Sequence, residues 1–139
     1  MKITICGGGN AAHALAGILG AHKAHQVNVY APFNDEAERW QQELEFQGGL
    51  LVVYDNKSVH SHPFTVSADP AEVVPGAQMV LLALPAFAHE GTLRAIAPHL
   101  ETGVWIGALP ARSGFDWCAL EVFKELDKKV RLFGFQTLP

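Results

Sequence analysis

Residues 2–13 read KITICGGGNAAH, and this stretch decides the fold. Ile3 and Ile5 alternate with polar neighbours and are β-branched, as a short strand requires. Gly7-Gly8-Gly9 follows at once, and then Ala11, Ala12, Leu15, Ala16, Ile18 and Leu19 recur at helical spacing to about Gly20. Gly7, Gly9 and Ala12 therefore form a G-x-G-x-x-A motif between a strand and a helix, the context that gives the motif its meaning. Each position has a physical reason. Gly7 makes the tight turn, Gly9 lets a pyrophosphate approach the backbone, and Ala12 lets the helix pack close to the sheet. The helix start presents unpaired N–H groups and a partial positive charge to phosphate. The candidate phosphate-binding set is Gly7, Gly8, Gly9, Asn10, Ala11 and Ala12. A glycine turn without a ligand is the alternative, and the surrounding strand and helix weigh against it.

Working outward, Val27–Tyr30 reads as a second strand. A carboxylate at the end of such a strand would grip a ribose 2′-OH, yet Tyr30-Ala31-Pro32-Phe33 has none before Asp35. No base stands there for a 2′-phosphate either, and Arg39 comes a helical turn beyond Asp35. The cofactor is thus NAD or NADP on these residues alone. Phe33 either packs on the adenine or belongs to the core. Pro32 can open a helix through Trp40 and Leu44, with Asp35, Glu36 and Glu38 suiting its positive end, that stops before Gly48-Gly49.

Residues 50–54 and about 63–67 read as two strands joined through Asp55-Asn56-Lys57, an inserted or edge hairpin. Asp69 caps a short helix with Pro70 in its first position. Met79–Leu84 is an unbroken apolar run, as in a strand buried on both faces of a parallel sheet. It ends at Pro85 on the same edge as the glycine turn, so Leu84, Pro85 and Ala86 are expected to border the nicotinamide ribose. A helix over 87–99, a strand at 104–107, a helix over 115–127 and a strand at 130–133 complete the rhythm. The expected fold is α/β: a Rossmann-like, doubly wound, mainly parallel sheet with helices on both faces and a small edge hairpin.

The length of 139 residues fits one domain, and 49 % apolar residues supply a core for it. A net charge of −4 offers no basic surface for nucleic acid. No apolar run reaches the roughly 18 residues of a membrane span, and the first residues lack the pattern of a secretory leader. Cys6 and Cys118 are too few for a disulfide framework, so a reduced, cytoplasmic protein is expected. His22 with His25, and His60 with His62, lack a carboxylate or cysteine at a ligand spacing, so no metal is expected. Ser113 stands outside any G-x-S-x-G elbow, and nothing in sequence makes Cys6 or Cys118 electropositive enough to be a nucleophile. His89, in the first turn after Pro85, either reaches a ligand or packs the helix, and packing is the commoner role. Residues 124–129, KELDKK, read as a solvated helix end.

Four blocks in order, CGGGNAAH (6–13), DEAERW (35–40), LPAFAHEG (84–91) and TLP (137–139), resemble the octopine/opine dehydrogenase family along essentially the whole chain. The resemblance implies hydride transfer from a reduced nicotinamide to an imine formed between an amino acid and a 2-oxo acid such as pyruvate. Octopine-forming members use NADH and arginine and others NADPH, so the resemblance tips the cofactor towards NAD. The family places a helical substrate domain, bearing the catalytic histidine and its acidic partner, after the dinucleotide domain. Residues 1–139 match the dinucleotide domain alone, none of the seven histidines matches the catalytic one, and no catalytic residue is assigned. Two substrate-side residues carry over: Thr137 matches a threonine near the substrate pocket, and Arg112 stands where octopine-forming members have a glutamine. Arg112 is either a bidentate carboxylate anchor or a surface arginine. Two alternatives stand beside this reading. One is the corresponding domain of a ketopantoate reductase or a 3-hydroxyacid or glycerol-phosphate dehydrogenase, and the other is a non-catalytic dinucleotide-binding module. The partners implied are small molecules, an amino acid and a 2-oxo acid; nucleic acid and membrane are not expected, and the oligomeric state is left open.

Overall fold

The computed structural model describes residues 1–54, 56–61, 65–112 and 114–137. Its strands are β1 (Lys2–Cys6), β2 (Gln26–Tyr30), β3 (Leu50–Tyr54), β4 (Lys57–Ser61), β5 (Thr65–Ser67), β6 (Met79–Leu82), β7 (Trp105–Ala108) and β8 (Arg131–Gly134). Its helices are α1 (Asn10–Gly20), α2 (Glu36–Gln47), α3 (Pro70–Val73), α4 (His89–Ile96) and α5 (Phe115–Glu125). Six strands form one sheet in the order β5-β2-β1-β6-β7-β8, with every neighbouring pair parallel. The strand order reverses between β1 and β6, which is the doubly wound arrangement with its switch point beside β1.

Alternation along the strands divides the interior into two cores. Ile3, Ile5, Val27, Val29 and Leu81 face α1 and α2, meeting Ala12, Leu15, Ala16 and Trp40. Cys6, Tyr30, Val80, Leu82 and Ile106 face the other way, onto Val73, Leu93, Ile96, Phe115 and Val122 from α3, α4 and α5. Right-handed crossovers put helices on opposite faces on the two sides of the switch point. On the α1 face, β7 and β8 carry no helix among the described residues, and Trp105 and Phe135 are exposed. Two polar strand residues in the second core share one partner: Thr4 Oγ1 donates to the Val73 carbonyl at 2.6 Å, and Asn28 Nδ2 donates to the same oxygen at 3.3 Å.

The expected hairpin is corrected in its second strand. β3 pairs antiparallel with β4, from Leu50 opposite Ser61 to Tyr54 opposite Lys57. Thr65–Ser67 instead joins the main sheet as its parallel edge, with Asn28 opposite Thr65 and Tyr30 opposite Ser67. The hairpin is a separate two-stranded sheet packed on α1 rather than an edge of the main one. Ser61 Oγ donates to the Gly17 carbonyl at 2.8 Å, and a Cβ on Gly17 would come within 2.9 Å of Val52. A second correction concerns α2, which begins at Glu36 with Asp35 as its N-cap rather than at Pro32. Its end is as expected: Gly48 takes the left-handed cap at φ +70° and donates its N–H to Leu44. Asp69 caps α3 as read, accepting from the Ala71 N–H at 2.8 Å.

Candidate dinucleotide-binding site

β1 ends at Cys6, and the Gly7 N–H donates to the Tyr30 carbonyl at 2.8 Å, tying the turn to the end of β2. Gly7 has φ +137°, and a Cβ there would lie 2.6 Å from the Ala83 carbonyl oxygen, so both backbone and space demand glycine. Gly9 is different. It is the N-cap of α1 in extended geometry, φ −85° and ψ −175°, and a Cβ there would meet nothing within 4 Å. Packing among the described residues gives no reason for glycine at this position, and the space above it is open to a ligand. Ala12 is fully buried against the sheet, as close helix–sheet packing requires. α1 has no capping side chain, so its first N–H groups remain available to an anion.

Leu84, Pro85 and Ala86 continue from β6, whose extension is held to β1 by the Ala83 N–H donating to the Cys6 carbonyl at 2.9 Å. They line a cleft of about 380 Å³ together with Ala11, Pro110 and Arg112. The structure thus brings one end of the glycine turn, the β6 edge and Arg112 to one place. Thr137 is not in it. It borders a neighbouring apolar cleft with Leu15, Leu81, Phe133 and Phe135 on the helix-free part of the α1 face, and the two clefts share Leu109. Phe33 lies past the end of β2 and is 40 % exposed, so it is not a core residue.

Sequence reasoning missed a second cleft, of about 370 Å³, on the other side of the turn. Gly8, Asn10 and His13 form one wall and Glu36, Trp40 and Glu43 of α2 the other. A Cβ on Gly8 would collide with the Glu36 carboxylate, so glycine at this position makes room for that side chain. Glu36 Oε2 and Trp40 Nε1 are both buried without a hydrogen-bond partner among the described residues. One is an acceptor and the other a donor, and each borders the turn. The His13 ring meets the Trp40 indole edge-on at a centroid distance of 4.0 Å, while its Nδ1 lies 3.1 Å from the Gly9 carbonyl. Two sequence signals fall here: the acidic first turn of α2, which helix electrostatics alone explains, and the DEAERW block at 35–40, which carries the family resemblance without saying that Glu36 and Trp40 face the glycine turn.

The remaining candidates divide by burial. His89 is 2 % exposed, and its Nε2–H donates to the Leu84 carbonyl at 3.1 Å while its ring meets Phe115 edge-on. It packs the helix rather than presenting a free imidazole. Burial pushes the Cys6 thiol far above its ordinary range and raises that of Cys118, so neither is an activated nucleophile. The His22 and His25 rings stack at 4.8 Å, and no group of metal-binding side chains occurs among the described residues. His62 and Ser113 lie outside the described residues. No helix among the described residues is long and apolar enough to cross a membrane.

Known proteins match this geometry along the whole chain. Octopine dehydrogenase of Mizuhopecten yessoensis is 35 % identical over 143 aligned residues, covering 100 % of this chain and 36 % of its own length. Tauropine dehydrogenase of Arabella iricolor is 35 % identical, covering 99 % of this chain and 36 % of its own. The solved structure of octopine dehydrogenase in complex with NADH and agmatine superposes with a TM-score of 0.88 at 35 % identity, over 100 % of this chain and 36 % of that one. The chain therefore spans a little over a third of the length of the relatives it matches. A ketopantoate reductase from Ralstonia eutropha superposes with a TM-score of 0.71 at 20 % identity, which is a likeness of fold alone. Residues 2–109 match the family model described as NADP oxidoreductase, coenzyme F420-dependent. The chain belongs to that oxidoreductase family, and along its whole length it is similar to a little over a third of octopine and tauropine dehydrogenases.

Proposed function

We propose that this chain binds a nicotinamide dinucleotide across the carboxyl edge of its parallel sheet. The pyrophosphate rests on Gly7, Gly8, Gly9, Asn10, Ala11 and Ala12, the nicotinamide ribose against Leu84, Pro85 and Ala86, and the adenine beside Phe33. Gly9 carries the reading, because its missing side chain opens onto free space at an uncapped helix start. The groups present fit the ligand: N–H donors for phosphate, a small-residue approach, and an apolar edge for the ribose. When bound, the reduced nicotinamide supplies a hydride to the substrate.

The chain's own residues bind and orient. Gly7 fixes the path of the turn, α1 directs its N–H groups at the phosphates, and the Leu84 carbonyl is held by His89, which sets the β6 edge. Arg112 overlooks the cleft bordered by that edge, where its planar guanidinium suits a substrate carboxylate. Thr137 takes its place on the substrate side, in the adjoining cleft. In the whole protein these residues serve an opine-type dehydrogenase that reductively condenses an amino acid with a 2-oxo acid such as pyruvate. The acid–base histidine and the helical substrate domain come from polypeptide outside residues 1–139. A cytoplasmic, reducing setting suits Cys6 and Cys118, both free thiols.

Titration of the purified chain with NADH and with NADPH, followed by nicotinamide fluorescence and by calorimetry, tests the binding. Saturable binding of at least one is expected, and binding of neither overturns the proposal. Incubation of the same chain with pyruvate, amino acids and NADH is expected to give no turnover. Robust turnover would refute the assignment of the acid–base group to another part of the protein.

A further inference from the structure

We infer that His13 is a positioning residue: its side chain holds the Gly9 carbonyl, and through that peptide it aims the Asn10 N–H at the cofactor's pyrophosphate. The inference rests on the dinucleotide reading above and adds a residue outside the glycine motif. Gly9 creates the need. Its missing side chain leaves room for the ligand, but glycine is also the least restrained residue, and its ψ sets the plane of the Gly9–Asn10 peptide. Carbonyl and N–H point to opposite sides of that planar unit. Whatever fixes the Gly9 carbonyl therefore fixes the direction of the first N–H group of α1, at a helix start that has no capping side chain.

Two donors from one residue converge on that carbonyl. The His13 backbone N–H donates to it at 3.1 Å, as the first helical turn requires, and the ring Nδ1 lies 3.1 Å from the same oxygen. A carbonyl only accepts, so Nδ1 carries the proton. The ring is held in its turn. It meets the Trp40 indole edge-on at 4.0 Å, and Trp40 is fixed in the core between α2 and the sheet. α2 thus braces the imidazole and the imidazole braces the Gly9 carbonyl, so the phosphate turn is set before a ligand arrives. Such preorganisation raises affinity by lowering the ordering cost of binding.

Two substitutions separate the two contacts of His13. His13→Asn keeps an N–H donor at the position of Nδ1 and loses the ring, whereas His13→Phe keeps a ring beside Trp40 and loses the donor. NADH dissociation constants are measured for the native chain and both variants by fluorescence and by calorimetry. The order of the Asn10 amide in each free chain is measured by 15N relaxation. His13→Phe is expected to weaken NADH binding about fivefold. Its Asn10 order parameter is expected to fall from about 0.85 towards about 0.6. His13→Asn is expected to keep the native order and to bind within about twofold of the native chain. An NADH affinity unchanged in His13→Phe overturns the inference. So does a His13→Asn chain that binds as weakly as His13→Phe, or an Asn10 amide equally ordered in all three chains. Each of these results leaves dinucleotide binding by the native chain standing, whereas a native chain that binds no NADH or NADPH removes both readings.

Discussion

His89 Nε2–H donates to the Leu84 carbonyl across one turn of chain, at 3.1 Å, in an almost wholly buried setting. Because a carbonyl only accepts, the bond fixes the imidazole as its Nε2–H tautomer. It also fixes the backbone where β6 gives way to Pro85 and the proposed ribose edge. His89→Phe keeps the bulk and the edge-on contact with Phe115 but removes the donor. The Leu84 carbonyl then loses its partner at a cost of about 1–3 kcal/mol. A lower urea midpoint with an unchanged slope checks this, and NADH affinity is expected to fall with it.

The same burial makes His89 sensitive to pH. Desolvation lowers its pKa, and the bond to Leu84 opposes that only in part. The unfolded chain therefore takes up the proton at a higher pH than the folded one, so stability rises with pH through the histidine range. The contribution is complete above the ordinary histidine value of about 6.5 and is lost as pH falls through the lowered folded value. Urea midpoints at about pH 7.5 and about pH 5.5 are expected to fall further in the native chain than in His89→Phe. Parallel losses in the two proteins would show that His89 is not the group responsible.

The parts of the fold that could be read from the sequence are those whose signals are local. β1, the glycine turn and α1 were legible because a strand pattern, a turn requirement and a helical period adjoin one another within residues 2–20. Asp69-Pro70 was legible because capping acts over two residues. The partner of β3 was not. Lys57–Ser61 has a single apolar residue, Val59, so it shows no alternation, and the strand is set by its ladder and by Ser61 on Gly17. Thr65–Ser67 does look like a strand, but its partner is β2, and periodicity does not encode partnership at that separation. The site divides in the same way. Gly7, Gly9 and Ala12 follow from spacing, whereas Glu36 reaches Gly8 only because α2 folds back over the turn.

Thr4 and Asn28 lie opposite one another on β1 and β2 and converge on the Val73 carbonyl. Either donor alone satisfies that oxygen, so the two are expected to be coupled. Thr4→Val costs about 1 kcal/mol, since Asn28 still donates. Combining it with Asn28→Ala leaves the carbonyl unpaired in the core, and the loss exceeds the sum of the single losses by about 1 kcal/mol. A double-mutant cycle in urea measures the difference. Simple additivity would mean that the shared acceptor contributes nothing.

Gly7 and Gly9 sit two residues apart in one motif, and the structure separates their roles. Gly7→Ala forces an alanine to φ +137° and places its Cβ against the Ala83 carbonyl, which is backbone and has little freedom to yield. Strain of about 1–3 kcal/mol is expected from the dihedral, with the collision added to it. Gly9→Ala meets neither obstacle, because its geometry is extended and its surroundings are open. Its cost in stability is expected to stay within about 1 kcal/mol, the size of a change at an N-cap. Its methyl group, however, enters the space proposed for the pyrophosphate, and NADH affinity is expected to fall by at least about tenfold. Thermal unfolding and NADH titration of both variants check the contrast. A Gly9→Ala chain that binds NADH as the native one does would move the phosphates off this turn, whatever Gly7→Ala does to the fold.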